Sequence, residues 1–372
     1  MYKVPTAPSQ LKASPVLFVG TYTEPEQSHS EGIYVYRMDS STGRLTFESV
    51  MGGVVNPSFL EIHPSRNFLY AVNEVQNFAD RAGGGVSAFS IDLRSGELNL
   101  LNSKSSHGED PCYISIEQTG RFALAANYSS GRIAMLPIQK NGQLGGTTDV
   151  IQHSGASIHP KRQTAPYAHC IIPDPTNRFA MVADLGLDNI LIYRMDLDKG
   201  KLHKHTEVKV KAGSGPRHLT FHRDLPYAYL INELISTLTA YRYLSDAGTL
   251  EELQTVSTLP DDFKGENLAA DIHISPTGKY LYASNRGHDS IAHFHIDKNT
   301  GHLSYCEHTP THGHEPRNFA IDPSGTFLLV ANQKTNNIVT FKIDPTTGQL
   351  SMTGYEEEVS MPVCLKFVNL KA

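Results

Sequence analysis

The stretch that decides the fold, residues 276–291, reads PTGKYLYASNRGHDSI. Within it, Tyr280 to Ser284 alternate large and small residues with a period of two, which is typical of a β-strand. The strand is followed at once by Asn285, Arg286, Gly287, His288 and Asp289. A turn needs little more than Gly, Asn or Pro, so this much charge at the end of a strand requires a reason beyond the turn itself.

The same strand recurs at intervals of about 50 residues. Its six versions read NFLYAVNE, RFALAANY, RFAMVADL, PYAYLINE, KYLYASNR and TFLLVANQ. An extended segment that usually opens with Pro precedes this strand. A turn of the form GxL recurs seven times, at 42–45, 95–98, 141–144, 199–202, 247–250, 300–303 and 347–350. Each unit therefore predicts four strands, and helical periodicity is almost absent.

Four strands in roughly 50 residues are typical of one blade of a β-propeller. We predict an all-β fold, a seven-bladed β-propeller with four-stranded antiparallel blades, as a single domain over residues 15–372 after an N-terminal extension at 1–14. The first unit begins late, at VLFVGTYT, whereas the chain ends with an additional segment, MPVCLKFV at 361–368. We expect this C-terminal strand to join blade one and close the ring, which hides the open sheet edges of a linear array.

Composition and charge exclude several classes of function. The chain has 372 residues, a formal net charge of −6 and a pI near 6.3, which argues against the basic face that nucleic acids require. No apolar run approaches the roughly 18 residues of a membrane helix, and Met1 to Pro15 lack the apolar core of a signal peptide. The four cysteines are far apart without a CxxC pair, which predicts neither a zinc site nor a disulfide framework. We expect a cytoplasmic protein without nucleic-acid or membrane partners, and the sequence leaves the oligomeric state open.

Alignment of the seven units separates architectural residues from exceptions. The column after the Pro of the first strand contains Ser58, Cys112, His169, Arg217, Ala270, Arg317 and Val363. The crowded centre of a propeller favours small or apolar residues, so a histidine and two arginines there are costly unless they are solvated or paired. We predict that these three side chains converge near the propeller axis.

Two further columns end the second strand of each unit. The first contains Thr21, Asn73, Asn127, Asp184, Asn232, Asn285 and Asn332. Asn and Asp in six of these seven positions indicate side chains that satisfy local backbone groups. The next column contains Tyr22, Glu74, Tyr128, Leu185, Glu233, Arg286 and Gln333. Such variety is expected where equivalent positions line the mouth of a shared cavity and bind a ligand.

Both exceptional columns are expected at one rim of the channel. Together they gather His169, Arg217, Arg317, Arg286, Glu74 and Glu233. Arginine offers a planar fork of donors that matches carboxylate or phosphate, so the set favours a small anionic ligand. A histidine or glutamate beside the arginines is a plausible general base, but burial and the arginines act in opposite directions on the pKa of a carboxyl group. We also predict that Glu74, His218, Tyr22 and Asn285 bind substrate.

These motifs resemble the seven-bladed propeller lactonases, a family that includes a bacterial type of 6-phosphogluconolactonase and a fungal carboxymuconate cyclase. The resemblance covers nearly the whole chain beyond Ser14, through GTYT (20–23), NPSFL (56–60), PYAHC (166–170), ADLGLD (183–188), GPRHL (215–219), NEL (232–234), SPTGKYLYASNRGHDSI (275–291) and EPRNFAIDPSG (315–325). It implies hydrolysis or formation of a lactone on a sugar-acid or carboxylate substrate, without a metal or other cofactor. It further implies catalytic roles for the residues that match the family motifs, His169, Arg217, Glu233 and Arg286. Two departures, Tyr167 in place of a histidine and a long loop at 76–85, leave the particular lactone open.

We therefore predict a lactonase of carbohydrate metabolism that acts on a sugar-acid lactone, and among such lactones the resemblance favours 6-phosphogluconolactone. In this hypothesis Arg217, Arg286 and Arg317 bind the anionic group and the carbonyl oxyanion, while His169 or Glu233 deprotonates the attacking water. Two alternatives stay open at this point. One is a lactone-forming cycloisomerase of the carboxymuconate type, and the other is a non-catalytic propeller that binds a metabolite or a protein.

Overall fold

The computed structural model describes residues 14–24, 26, 28–79 and 81–369. Seven four-stranded antiparallel sheets form the blades of a ring, and the described residues contain no helix. The predicted all-β, seven-bladed propeller is therefore confirmed. The predicted N-terminal extension at 1–14 lies, apart from Ser14, outside the described residues.

The strands follow the chain from blade to blade. Blade 1 contains β1 (Val16–Thr21), β2 (Gly32–Met38) and β3 (Leu45–Gly52). Blade 2 contains β4 (Leu60–Ile62), β5 (Phe68–Asn73), β8 (Gly85–Ile91) and β9 (Leu98–Ser105), with a small hairpin of β6 (Asn77–Phe78) and β7 (Arg81–Ala82) in its long loop. Blade 3 contains β10 (Pro111–Ile116), β11 (Phe122–Asn127), β12 (Arg132–Pro137) and β13 (Asp149–Gln152).

The second half of the ring has the same order. Blade 4 contains β14 (Ala168–Pro173), β15 (Phe179–Asp184), β16 (Asn189–Asp196) and β17 (Lys201–Lys209). Blade 5 contains β18 (Pro216–Phe221), β19 (Tyr227–Asn232), β20 (Thr237–Leu244) and β21 (Thr249–Ser257). Blade 6 contains β22 (Leu268–Ile274), β23 (Tyr280–Arg286), β24 (Ser290–Ile296) and β25 (Leu303–Pro310). Blade 7 contains β26 (Pro316–Ile321), β27 (Phe327–Asn332), β28 (Asn337–Ile343) and β29 (Leu350–Glu358), after which β30 (Pro362–Val368) returns to blade 1.

The C-terminal strand closes the ring as predicted. It pairs antiparallel with β1, with Val16 opposite Val368 and Val19 opposite Leu365, and becomes the innermost strand of blade 1. The innermost strands of neighbouring blades contact one another around the whole ring, including β26 with β30 and β30 with β4. Closure therefore gives every innermost strand a neighbour on both sides.

The repeated GxL turn has a packing explanation. Its leucine is buried in all seven blades, and its glycine has a positive φ, such as 84° at Gly142 and 62° at Gly248. A Cβ at Gly142 would lie 2.3 Å from the ring of Phe68, and one at Gly248 would lie 2.3 Å from the ring of Phe179. Only glycine fits both the left-handed backbone and the aromatic ring of the preceding blade. The signature thus records how consecutive blades pack.

Candidate active site

A β-bulge lies near the start of the innermost strand in most blades. The register against the second strand skips Cys112, His169, Arg217 and Arg317 in blades 3, 4, 5 and 7, and Val363 in blade 1. A bulge adds one residue to a strand and re-aims its side chains. Consecutive residues, including Arg217 and His218, consequently line the same central cavity. The exceptional column identified in the sequence is therefore the bulge position.

Glu233 lies at the centre of an arginine cluster. Its Oε2 accepts hydrogen bonds from Nε of Arg217 at 3.1 Å and from Nη2 of Arg286 at 2.8 Å. All three side chains are buried. Burial alone would raise the pKa of Glu233, but the charges of Arg286, Arg217 and Arg162 hold it at about 2. The sequence left open whether burial or the arginines would dominate the pKa of Glu233. The arginines dominate, and Glu233 is ionised at neutral pH.

Arg162 also belongs to this cluster, although the sequence analysis did not select it. Its Nη2 donates to Oε1 of Glu233 and, at 3.3 Å, to the hydroxyl oxygen of Tyr128. It lies in the loop 153–167 between β13 and β14, which is longer than the corresponding connections of the other blades. Alignment of repeats compares shared positions, so it could not detect a residue in a segment particular to one blade. Two features of the sequence could have pointed to Arg162: the length of this loop, and the two consecutive basic residues in it, Lys161 and Arg162.

A second polar group surrounds Glu74. Its Oε1 accepts a hydrogen bond from the hydroxyl of Tyr22 at 2.9 Å, and its Oε2 accepts one from the hydroxyl of Ser58. The guanidinium of Arg317 lies over the ring of Tyr22, 5.6 Å from its centroid. Burial raises the pKa of Glu74, although Arg317 acts in the opposite direction. Of the two glutamates at this rim, Glu74 is therefore the one that is easier to protonate.

His169 and His218 are neighbours across blades 4 and 5, with ring centroids 5.3 Å apart. Nδ1 of His218 is 2.8 Å from Oδ1 of Asp271, and its Nε2 is 3.2 Å from Nη1 of Arg217. A guanidinium only donates, so Nε2 of His218 accepts and Nδ1 carries the hydrogen. Burial and then the charge of Arg217 lower the pKa of His218 to about 4, and they lower the pKa of His169 well below its usual value. Both imidazoles are therefore neutral at pH 7.

The central cavity at these groups is small, with a volume of about 10 Å³. It is lined by Ser58, Phe59, Glu74, Cys112, Arg217, His218, Arg317, Asn318 and Val363. A larger groove of about 420 Å³ lies at the periphery between blades 3 and 4, and its lining contains none of the predicted site residues. We place the candidate site at the central cavity because the arginines, histidines and glutamates converge there.

Asn285 differs from the other predicted site residues in where its hydrogen bonds go. Its Nδ2 donates to the carbonyl oxygen of Thr258 at 2.7 Å, and its Oδ1 accepts from the hydroxyl of the same residue at 2.7 Å. The side chain is fully buried. These contacts agree with the architectural interpretation of its column, and its role in substrate binding stays a prediction.

The electrostatic balance at this rim favours an anion. Four arginines, at 162, 217, 286 and 317, face two glutamates, at 74 and 233, while the two histidines contribute no charge at neutral pH. Within the described ranges, no group of three or more His, Cys, Asp or Glu side chains is arranged to hold a metal ion. The chemistry that these residues offer is anion binding by guanidinium groups next to neutral proton acceptors.

Comparisons with known proteins agree with this arrangement. The family model described as lactonase, 7-bladed beta-propeller, matches residues 16–367. A 6-phosphogluconolactonase of Bacillus subtilis is 35% identical over 352 residues, which are 95% of this chain and 98% of the relative. The structure of a periplasmic gluconolactonase of Pseudomonas aeruginosa has a TM-score of 0.90 at 33% identity and covers 96% of this chain and 99% of its own.

A further structure, from Bacteroides fragilis and provisionally named a 6-phosphogluconolactonase, has a TM-score of 0.90 at 39% identity over 97% of this chain and 100% of its own. The agreement in sequence and in structure extends over the entire ring rather than over a few blades. This chain therefore belongs to the seven-bladed β-propeller lactonase family, which confirms the resemblance carried by its motifs and the prediction of an enzyme of the lactonase class.

Proposed function

We propose that this chain hydrolyses a sugar-acid lactone, specifically 6-phosphogluconolactone, at the rim that contains His169, Arg217, Glu233 and Arg286. The observation that carries the proposal is the buried arginine cluster around Glu233, next to two neutral histidines. It is supported by relatives named 6-phosphogluconolactonase that align over most of the chain. The name of those relatives also supports a place in sugar-phosphate metabolism.

In this proposal the arginines stabilise the negative charge that develops on the lactone carbonyl oxygen. Arg217 and Arg286 are already oriented by Oε2 of Glu233, so they need no rearrangement when the charge appears. Donors that are fixed in this way act most strongly where water is excluded. The loss of one such donor typically raises the barrier by about 3–4 kcal/mol.

His169 is the better candidate for the group that deprotonates the attacking water. Its lowered pKa keeps the imidazole free of a proton throughout the neutral range. Both carboxylate oxygens of Glu233 already accept hydrogen bonds from Arg162, Arg217 and Arg286, so Glu233 orients the arginines instead. Glu74, whose pKa is raised, is suited to protonate the ring oxygen that leaves as the carbon–oxygen bond breaks. Water thereby supplies the new carboxyl oxygen, and the ring opens to a hydroxy acid.

The test is hydrolysis of 6-phosphoglucono-δ-lactone and of unphosphorylated gluconolactone by the purified protein, followed by proton release. Arg217→Ala and His169→Ala are measured alongside. We expect rapid turnover of the phosphorylated lactone that both substitutions abolish. Background rates of the unsubstituted protein on both lactones would refute the proposal and leave a cycloisomerase or a binding role, which product analysis with an unsaturated diacid would distinguish.

The cytoplasmic location is retained as part of the proposal. Across the described ranges, no helical segment has the length and apolarity that a membrane crossing requires. One similar structure, from Pseudomonas aeruginosa, belongs to a periplasmic gluconolactonase. Fractionation of cells that express the chain would test the location.

A further inference from the structure

Arg162 differs from the other arginines of the cluster in its exposure. The side chains of Arg217 and Arg286 are 2% and 7% exposed, whereas that of Arg162 is 34% exposed. Arg162 also comes from a loop rather than from a strand of the propeller. From the connection between blades 3 and 4 it reaches Glu233 of blade 5. It is therefore the member of the cluster that a ligand meets first from solvent.

The loop that carries Arg162 is held in place by its own hydrogen bonds. Gln163 is fully buried; its Nε2 donates to the carbonyl oxygen of Leu185 at 2.8 Å and its Oε1 accepts from the backbone N–H of His159 at 3.0 Å. The backbone N–H of Arg162 donates to Nδ1 of His159 at 3.1 Å. A guanidinium on such a loop is positioned before the ligand arrives, which reduces the entropy lost on binding.

The balance of charge leaves Arg162 with binding capacity. Glu233 is already paired with Arg217 and Arg286, so a third guanidinium exceeds what one carboxylate neutralises. Among the described residues, the side-chain hydrogen bonds of Arg162 use Nη2 alone, toward Glu233 and Tyr128. Its Nε and Nη1 remain for a ligand. These two donors point to different sides of the guanidinium, so each donates singly, and such a charge-assisted hydrogen bond to a phosphate oxygen is roughly twice as strong as a neutral one.

We propose that Arg162 binds the phosphate group of the substrate and thereby selects a phosphorylated sugar lactone over its unphosphorylated counterpart. The proposal rests on the proposed function and divides the arginines by role. The buried Arg217 and Arg286 serve the lactone carbonyl, and the accessible Arg162 serves the phosphate at the outer end of the substrate. Arg162 is thus a specificity-determining residue, and its removal is expected to weaken turnover of the phosphorylated lactone more than that of the unphosphorylated one.

The experiment compares Arg162→Gln with Lys161→Gln. The control removes the same charge from the adjacent, exposed position of the same loop. We expect kcat/KM for 6-phosphoglucono-δ-lactone to fall roughly 10- to 100-fold in Arg162→Gln, the range for losing hydrogen bonds to a charged group. For gluconolactone we expect a loss at least about threefold smaller than that for the phosphorylated lactone, and Lys161→Gln should keep the preference for the phosphorylated substrate. Arg162→Lys, which keeps the charge but replaces the planar guanidinium with a compact ammonium group, should lie in between.

Two outcomes would overturn this assignment. Equal losses on both lactones would show that Arg162 only orients Glu233, and equal kcat/KM in Arg162→Gln and Lys161→Gln would show no specific contact. If the unsubstituted protein hydrolyses neither lactone, the proposed function fails, but calorimetric binding of 6-phosphogluconate and of gluconate still tests the phosphate site. The unsubstituted protein should then bind the phosphorylated acid at least 10-fold more tightly and Arg162→Gln should lose that preference; equal or absent binding would reject the site.

Discussion

Glu233→Gln removes a buried negative charge while it preserves the size of the side chain. Three guanidinium groups, those of Arg162, Arg217 and Arg286, then share a site without their common partner. Removal of one partner from a buried ion pair typically costs about 3–5 kcal/mol, because the remaining charge stays buried and unpaired. We therefore expect the free energy of unfolding to fall by about that amount at pH 7.

The pKa of Glu233 gives a second value for this loss in the free energy of unfolding. It is lowered from 4.5 to about 2 in the folded protein, which corresponds to about 3 kcal/mol of stabilisation of the folded state when the group is ionised. Because the folded pKa is the lower one, this stabilisation is complete above about pH 5 and is lost as the pH falls from 4.5 toward 2. The stability difference between the unsubstituted protein and Glu233→Gln should therefore narrow in that interval.

The assay is urea unfolding at pH 7 and pH 3, followed by tyrosine fluorescence because the chain has no tryptophan. Glu207→Gln is a suitable control, since Glu207 pairs with Lys204 at 3.0 Å on an exposed surface. We expect it to change the free energy of unfolding by less than about 1 kcal/mol at either pH. A loss below about 1 kcal/mol in Glu233→Gln at pH 7, or a loss of equal size at pH 3, would refute the charge-balancing role.

Two further predictions concern the proton acceptor and the closure of the ring. His169→Gln should lower kcat at least about 100-fold. The rate of the unsubstituted enzyme should stay level from pH 8 to below pH 6.5, because the lowered pKa of His169 keeps its imidazole neutral over that range. A rate that halves near pH 6.5 would contradict this assignment. Removal of residues 362–372 leaves blade 1 with three strands and opens the ring. Calorimetry of the shortened protein should therefore lack the cooperative unfolding transition of the full chain. An unchanged melting profile would show that closure by the C-terminal strand is not needed.

Much of the fold could be predicted because the same four-stranded unit recurs seven times along the chain. The glycine of the GxL turn packs closely against a side chain of the preceding blade, as Gly142 and Gly248 do, so glycine recurs at this position in every blade. The incomplete first unit and the surplus strand at 361–368 then required closure. His169, Arg217 and Arg317 stood out in one column because the bulge places the same backbone position at the channel in these blades.

What the sequence could not supply depends on distances between blades. Arg162 escaped detection because its loop has no repeated counterpart, although its guanidinium contacts Glu233. The two glutamates at the rim occupy equivalent positions, yet their pKa values shift in opposite directions. Glu233 is paired with three arginines, whereas Glu74 accepts hydrogen bonds from two neutral hydroxyl groups. Only the arrangement in space distinguishes a charge-balancing carboxylate from one that can carry a proton.

The charged residues of the site are distributed unevenly among the blades. Blades 5, 6 and 7 contribute Arg217, Arg286 and Arg317 in succession, whereas the bulge positions of blades 3 and 4 contribute the uncharged Cys112 and His169. Arginine side chains are therefore concentrated on one arc of the channel, and His169, the proton acceptor of the proposed mechanism, lies on the adjoining arc. In that mechanism an anion bound by the arginines turns its opposite side to His169, and water attacks from the less positive side. Side chains at equivalent backbone positions thus give a symmetrical ring the asymmetry that the proposed hydrolysis requires, without any change in the fold.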